Sequence, residues 1–223
     1  MTDPQIQTLI TAIDQADSAT RLIQAVRALA AARSAEAIPT LIQVLGYNNP
    51  GAAVTALQGL VQLGEVAVQP LLEQIDGYNY GARSYSIRAL AAIADPRALE
   101  TLLDAAETDF APSVRRAATK GLGYLNWQQL PNEQVAQAQA KALKTLLLVS
   151  QDADWAIRYA AVVGLQALAQ SVNQSLERDR LPLILDRLNE MVQTDPAPAT
   201  QARVRLALNQ LSTANSQPPP VCC

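Results

Sequence analysis

Histidine is absent from this 223-residue chain. That gap removes the commonest general base, the Ser–His and Cys–His nucleophile pairs and most transition-metal ligand sets. Any catalysis then rests on carboxylates, tyrosine, arginine or positioning. Cysteine is scarce: Cys222 and Cys223 are the last two residues, so no disulfide framework holds the fold and a reducing, cytoplasmic setting is expected. No uninterrupted apolar run approaches the length needed to span a bilayer, and the first residues lack the basic–apolar–small pattern of a secretion signal. Membrane insertion is therefore not expected. Clustered basic residues are missing as well. With 17 Lys and Arg against 20 Asp and Glu, the net charge of −3 argues against a nucleic acid partner, whose phosphates need neutralising.

What is present is a repeat. Leu29, Leu60, Leu90, Leu122, Leu165 and Leu208 each sit in an Ala- or Gly-rich apolar stretch, at spacings of 31, 30, 32, 43 and 43 residues. The surrounding text recurs as AVRAL at 25–29, SIRAL at 86–90, SVRRAATKGL at 113–122 and AIRYAAVVGL at 156–165. Partner helices recur too: IPTLIQVLG at 38–46, VQPLLEQIDG at 68–77 and LPLILDRL at 181–188 share a proline followed by leucines at helical spacing. Ala98, Leu99, Leu102, Leu103 and Ala105 form the stripe of a buried helix face. Asp95-Pro96 reads as an N-cap with proline at the first helical position, and Gly46, Gly64 and Gly77 as left-handed helix ends.

Each such hairpin has an apolar face it cannot bury alone, so neighbours must stack. The expected fold is all-α, a HEAT-like α-solenoid of six helical hairpins at 4–33, 35–64, 66–94, 96–126, 131–170 and 176–212. The solenoid spans residues 1–212, and the polar, proline-rich tail 213–223 is expected to be disordered.

Only nine residues are aromatic, and their placement is uneven. Tyr47, Tyr78, Tyr80, Tyr85, Phe110, Trp155 and Tyr159 fall at the turn inside a hairpin or at the start of its second helix. Successive turns of a solenoid align, so these rings should form a ridge beside the concave face and suit ligand capture. Tyr124 and Trp127 are expected to plug gaps between hairpins. The turns GYNNPGA at 46–52 and GYNYGAR at 77–83 are near-duplicates, and Gly46, Asn48, Pro50 and Gly81 do no more than a turn requires.

The stretch YNYGARSYSIRALAAIADPRALETLLDAAETDFAPSVRRAATKGLGYLNW at 78–127 resembles the signature region of the E/F-type phycobilin lyases. The text at 37–53 is similar to the F-type subunit of the phycocyanin α-subunit lyase. The resemblance implies a subunit that pairs with an E-type chain and attaches phycocyanobilin, as substrate and with no cofactor, to a cysteine of the phycocyanin α subunit through a thioether. Its subfamily that also isomerises the bilin carries a His-Cys pair in the loop corresponding to 78–83; Tyr78-Asn79-Tyr80-Gly81-Ala82-Arg83 has neither, which implies attachment without isomerisation. A second reading is a non-catalytic HEAT adaptor or bilin chaperone acting on phycobiliproteins, for example during phycobilisome degradation.

The residues implied for the bilin follow from its chemistry. Arg83 and Arg115, at equivalent positions in adjacent repeats, suit its two propionates; Asp109 suits the pyrrole nitrogens, favouring the protonated bilin; Tyr78, Tyr80 and Phe110, with Asn79, suit its rings. Asp109, Asp152, Arg115 and Arg158 equally suit an inter-repeat ladder of turn Asp and second-helix Arg, with Arg83 expected to stand apart from it. Cys222 and Cys223, with nothing nearby to lower their pKa, are expected to be dispensable.

Overall fold

The computed structural model describes residues 3–75, 79–173 and 180–215, and among these there are twelve α-helices and no strand. They alternate as six hairpins: α1 (Pro4–Asp14) with α2 (Ala19–Ala31), α3 (Ile38–Leu45) with α4 (Pro50–Leu63), and α5 (Val68–Glu73) with α6 (Tyr80–Ile93). Next come α7 (Leu99–Thr108) with α8 (Pro112–Tyr124), α9 (Asn132–Val149) with α10 (Trp155–Asn173), and α11 (Leu181–Thr194) with α12 (Pro198–Asn215). Each hairpin falls where the repeat places it, except that α10 and α12 each run three residues further, beyond positions 170 and 212.

The register is set by one leucine. The eleventh residue of each second helix is Leu29, Leu60, Leu90, Leu122, Leu165 or Leu208. The first five have no solvent exposure, each contributing about 1.5–3 kcal/mol of burial. Leu208 is only partly buried, because no further hairpin among the described residues covers α12.

Second helices pack on second helices along the whole chain, α2 on α4, α4 on α6, α6 on α8, α8 on α10 and α10 on α12, while first helices touch their counterparts less. Small residues make this close approach possible. A Cβ at Gly59 would lie 2.7 Å from the Ala30 Cβ, one at Gly121 would lie 2.5 Å from the Ala91 Cβ, and one at Gly123 would fall on the Gly164 backbone. A tight second-helix layer under a splayed first-helix layer curves the stack, and the second helices line its inner face.

Local signals end the helices as the chemistry requires, with one shift of place. Gly64 (φ 71°) is left-handed as expected, but Gly46 is not (φ −87°), and Gly77 lies outside the described residues. The other left-handed residues among those described are Arg33 (φ 49°) and Ala94 (φ 62°). All three lie after a second helix, so the tight reversal belongs to the junction between hairpins and not to the turn within one. Asp95 caps a single 3-10 turn, Pro96–Ala98, accepting from the Arg97 backbone N–H at 2.9 Å, and α7 starts after it. The Arg97 side chain folds back on Asp95 and donates to the Glu65 carbonyl at 2.9 Å, stitching one junction to the preceding one. Residues Pro50–Glu73 have the length and apolarity of a membrane span by composition. Gly64 breaks them into α4 and α5, whose Ala56, Leu60, Val68 and Leu71 are core residues.

Candidate functional site

The turn edge gathers most of the residues singled out from the sequence. Asn79 caps α6, its Oδ1 accepting from the Ala82 N–H at 3.0 Å, and its Nδ2 donates to the Gly46 carbonyl of the previous turn. In the duplicate turn the same cap is made by Asn49, not Asn48. Tyr80 opens α6, half exposed; its hydroxyl meets Ser113 Oγ at 2.8 Å and its ring lies 6.1 Å from that of Phe110. Phe110 is 77 % exposed, with the Arg83 guanidinium 4.8 Å from its centroid. Asn79, Tyr80, Arg83, Asp109 and Phe110 are thus one cluster bridging the third and fourth hairpins. Tyr78 lies outside the described residues. Trp155 and Tyr159 continue the exposed aromatic edge, whereas Tyr47 and Tyr85 pack against the core. Trp127 is buried as expected; Tyr124, expected to fill a gap, is instead half exposed at the end of α8.

The charges form a ladder. Arg83, Arg115 and Arg158 are each the fourth residue of their second helix. Arg83 Nε donates to Asp109 Oδ2 at 2.7 Å, Arg115 pairs with Asp152, and Arg158 Nε donates to Asp195 Oδ2 at 2.8 Å. Each pair joins one hairpin to the turn of the next. Arg115 also donates to the Ala106 carbonyl, and Arg158 to those of Asp152 and Ala153, closing their own turns. In α12 the fourth residue is Gln201, whose amide donates to the Asp195 carbonyl and ends the series. Burial pushes the Asp195 carboxyl up, but the Arg158 guanidinium and the Ala197 N–H outweigh it and hold it below the usual 3.8. The expectation that Arg83 stands apart from the ladder is corrected: it is the first rung. Its partner Asp109 is 8 % exposed at the side chain and also accepts the Ala111 N–H at 2.8 Å. Both carboxylate oxygens are occupied.

A second feature lies on the inner face. Two adjoining cavities, of about 650 and 590 Å³, share Arg88, Ala117 and Lys120. One runs between α4, α6 and α8 over a floor of Ala91, Ala117 and Gly121 to Tyr124; the other runs between α6, α8 and α10 past Arg116 to Tyr159. Ser113, the partner of the Tyr80 hydroxyl, lines the second, so the aromatic edge is its rim. No carboxylate lines either cavity.

This follows from a segregation of charge. The described second helices contain no Asp or Glu at all, yet α2, α6, α8, α10 and α12 carry arginine or lysine. In a chain of net charge −3, the acids among the described residues sit on first helices, helix caps, turns and junctions. Reading the sequence for runs of Lys and Arg missed this, because the cations lie some thirty residues apart and are gathered only by stacking. The absence of acids from every second helix was the available signal.

The sequence profile of HEAT repeats matches residues 6–84 and 68–138. The phycocyanobilin lyase subunit beta of Nostoc sp. (strain PCC 7120) is 57 % identical over 91 % of this chain and 98 % of its own length. The chain belongs to the F-type phycocyanobilin lyase subunit family. The phycocyanin alpha phycocyanobilin lyase CpcF of Synechocystis sp. (strain PCC 6803) is 49 % identical over 93 % of the chain and 95 % of its own length. A chain of the solved complex of CpcE and CpcF of phycocyanin lyase from Nostoc sp. PCC7120 is 61 % identical. It superposes with a TM-score of 0.73, covering 78 % of this chain and 99 % of that one. For a member of this lyase subunit family, a histidine-free face of rings and cations is consistent with chemistry that needs no enzyme nucleophile.

Proposed function

We propose that this chain is the F-type half of a heterodimeric phycocyanobilin lyase, which pairs with an E-type HEAT chain and attaches phycocyanobilin to the phycocyanin α subunit. The carrying observation is near-full-length similarity to proteins named as this lyase subunit, together with the match to a chain of the CpcE–CpcF complex. The same relatives leave the adaptor reading without support.

In the reaction the acceptor cysteine sulfur bonds to the outer carbon of the ethylidene double bond on the bilin's first ring, and the thiol proton ends on the ring carbon at its other end. No electrons are exchanged with an outside donor, so no cofactor is required. The acceptor supplies the nucleophile; the lyase supplies geometry. Holding two reactants in register lowers a barrier by up to about 7–11 kcal/mol, which a face without histidine can provide. The two adjoining cavities of the inner face offer an open bed with an alanine- and glycine-lined floor and cationic walls for an extended tetrapyrrole, with Tyr80 and Phe110 at its rim. The loop from Tyr78 to Arg83 contains neither His nor Cys, which supports attachment without isomerisation, and the reaction is assigned to the cytoplasm.

The test is covalent transfer: this chain, phycocyanobilin and apo-phycocyanin α subunit, with and without an E-type partner, read as denaturation-resistant, zinc-enhanced fluorescence on the acceptor. Transfer only with both chains, and with the absorbance of attached phycocyanobilin, is the expected result. Bilin or phycobiliprotein binding without transfer in either mixture overturns the lyase assignment.

A further inference from the structure

Ten cations lie on the second helices, and most have an assigned task. Arg83, Arg115 and Arg158 form the ladder, Arg21 pairs with Asp17, and Arg203 and Arg205 donate to the side-chain amides of Gln166 and Gln201. Arg88, Arg116 and Lys120 remain, together with Arg27 near the first hairpin's end of the stack. None of the three is in an ion pair among the described residues; two of them lie over rings, the Arg88 guanidinium 5.2 Å from the Tyr85 centroid and Lys120 Nζ 6.0 Å from that of Tyr124. All three line the paired cavities.

Their register is informative. The ninth residue of successive second helices reads Arg27, Gln58, Arg88, Lys120, Val163 and Leu206. The repeat itself therefore does not demand a cation there. Only the third and fourth hairpins place cations side by side, at the centre of the face and where the two cavities meet. Arg116 lies one turn before Lys120 on the same helix, so the three converge from two packed helices whose axes in such packing run about 8–10 Å apart. Unpaired cations over an apolar floor, flanked by tyrosines, fit one ligand chemistry: a flat, conjugated, mostly apolar molecule bearing two carboxylates close together. A bilin, with propionates on its two central rings, has that constitution.

Resting on the lyase assignment, we infer that Arg88, Lys120 and Arg116 hold the two propionates of the bilin on the inner face, and so fix how far along the groove its reactive first ring reaches. They are positioning residues, not catalytic ones. Arg83 and Arg115, consumed by the ladder, do not serve this purpose. The clamp lies one helix register inward from the turn edge, which leaves Tyr80 and Phe110 at the rim.

The test uses the heterodimer with an E-type partner and compares phycocyanobilin with its dimethyl ester, the same chromophore without the carboxylate charges, by absorbance titration. The wild-type pair should bind the diacid at least about tenfold more tightly than the ester. Arg88→Gln and Lys120→Gln should each weaken diacid binding about tenfold, leave ester binding unchanged and so erase the preference. The residues are exposed, so helicity and the melting temperature should not move. Equal binding of diacid and ester by the wild type, or variants that keep the preference, overturns the clamp while leaving the lyase assignment intact. Loss of heterodimer on gel filtration in the variants assigns these cations to the subunit interface and also overturns it. Failure of the wild-type pair to bind either bilin or to transfer it removes the lyase assignment itself, and the clamp with it.

Discussion

Asp109 accepts from Arg83 through both oxygens and from the Ala111 N–H, and its side chain is almost fully enclosed. Removing one partner of such a pair leaves the other charged and desolvated, which costs about 3–5 kcal/mol. Arg83→Ala is therefore expected to lower the melting temperature sharply in thermal unfolding, and any loss of transfer in that variant must be corrected for misfolding. Phe110→Ser removes an exposed ring whose contacts are the Arg83 guanidinium and the Tyr80 ring, and should cost no more than about 1 kcal/mol, a small fall in melting temperature; a large drop would mean that the ring is structural. Backbone strain is a separate handle. Ala94 holds φ at 62°, where a Cβ costs about 1–2 kcal/mol, and the equivalent junction residue after α4 is Gly64. Ala94→Gly should stabilise the chain by about 0.5–1 kcal/mol in urea unfolding, since relief of strain exceeds the added freedom of the unfolded state.

At the scale of elements, inner curvature depends on helices that approach through glycine. A Cβ on Gly164 would sit 2.6 Å from a Leu146 methyl and 2.9 Å from the Thr119 carbonyl oxygen. The leucine can give way but the backbone of α8 cannot, so Gly164→Ala should cost about 1–3 kcal/mol by urea unfolding. The ladder and junctions also give the stack a pH limit. Asp95, held down first by its side-chain bonds to Arg97, and Asp195, where burial pushes up but Arg158, the Ala197 N–H and Arg187 together outweigh it, both have folded values below the usual 3.8. A depressed carboxylate stabilises the folded state above its unfolded value, and that stability is lost as pH falls through the folded value. Unfolding monitored by helicity should therefore change little between pH 5 and 7 and destabilise from about pH 4 downward. Arg158→Gln should lower stability at neutral pH and flatten this acid dependence, because, without the group that favours the ionised Asp195, burial no longer leaves its folded value below the unfolded one.

At the scale of the molecule, the described residues form a charge-segregated stack of helices: a cationic inner layer without acids and an outer layer, turns and junctions that hold the carboxylates. Two stacked layers of unlike composition give a single-sign inner field even though the net charge is −3. In the proposed attachment step the thiol belongs to the acceptor, so that step calls for neither Cys222 nor Cys223 of this chain. Replacing both by serine is expected to leave the transfer rate within about twofold of the wild type; loss of transfer would point to a bilin carried on this chain.

The six hairpins were legible in the sequence because a leucine at the eleventh place of each second helix must be buried, and periodicity is the direct record of burial. Capping was legible at Asp95 because the side chain acts on its own backbone two residues on. The resemblance over 78–127 gave the lyase family for a different reason: a long, specific string survives where a generic repeat would not. What the sequence by itself could not settle was which charges are used up. Arg83 and Arg88 look alike in the text, five residues apart; stacking places one against Asp109 and leaves the other facing an open cavity. Pairing of a charge depends on a partner 26 or 37 residues away in the next hairpin, and that distance is set by helix packing, which only the tertiary structure decided.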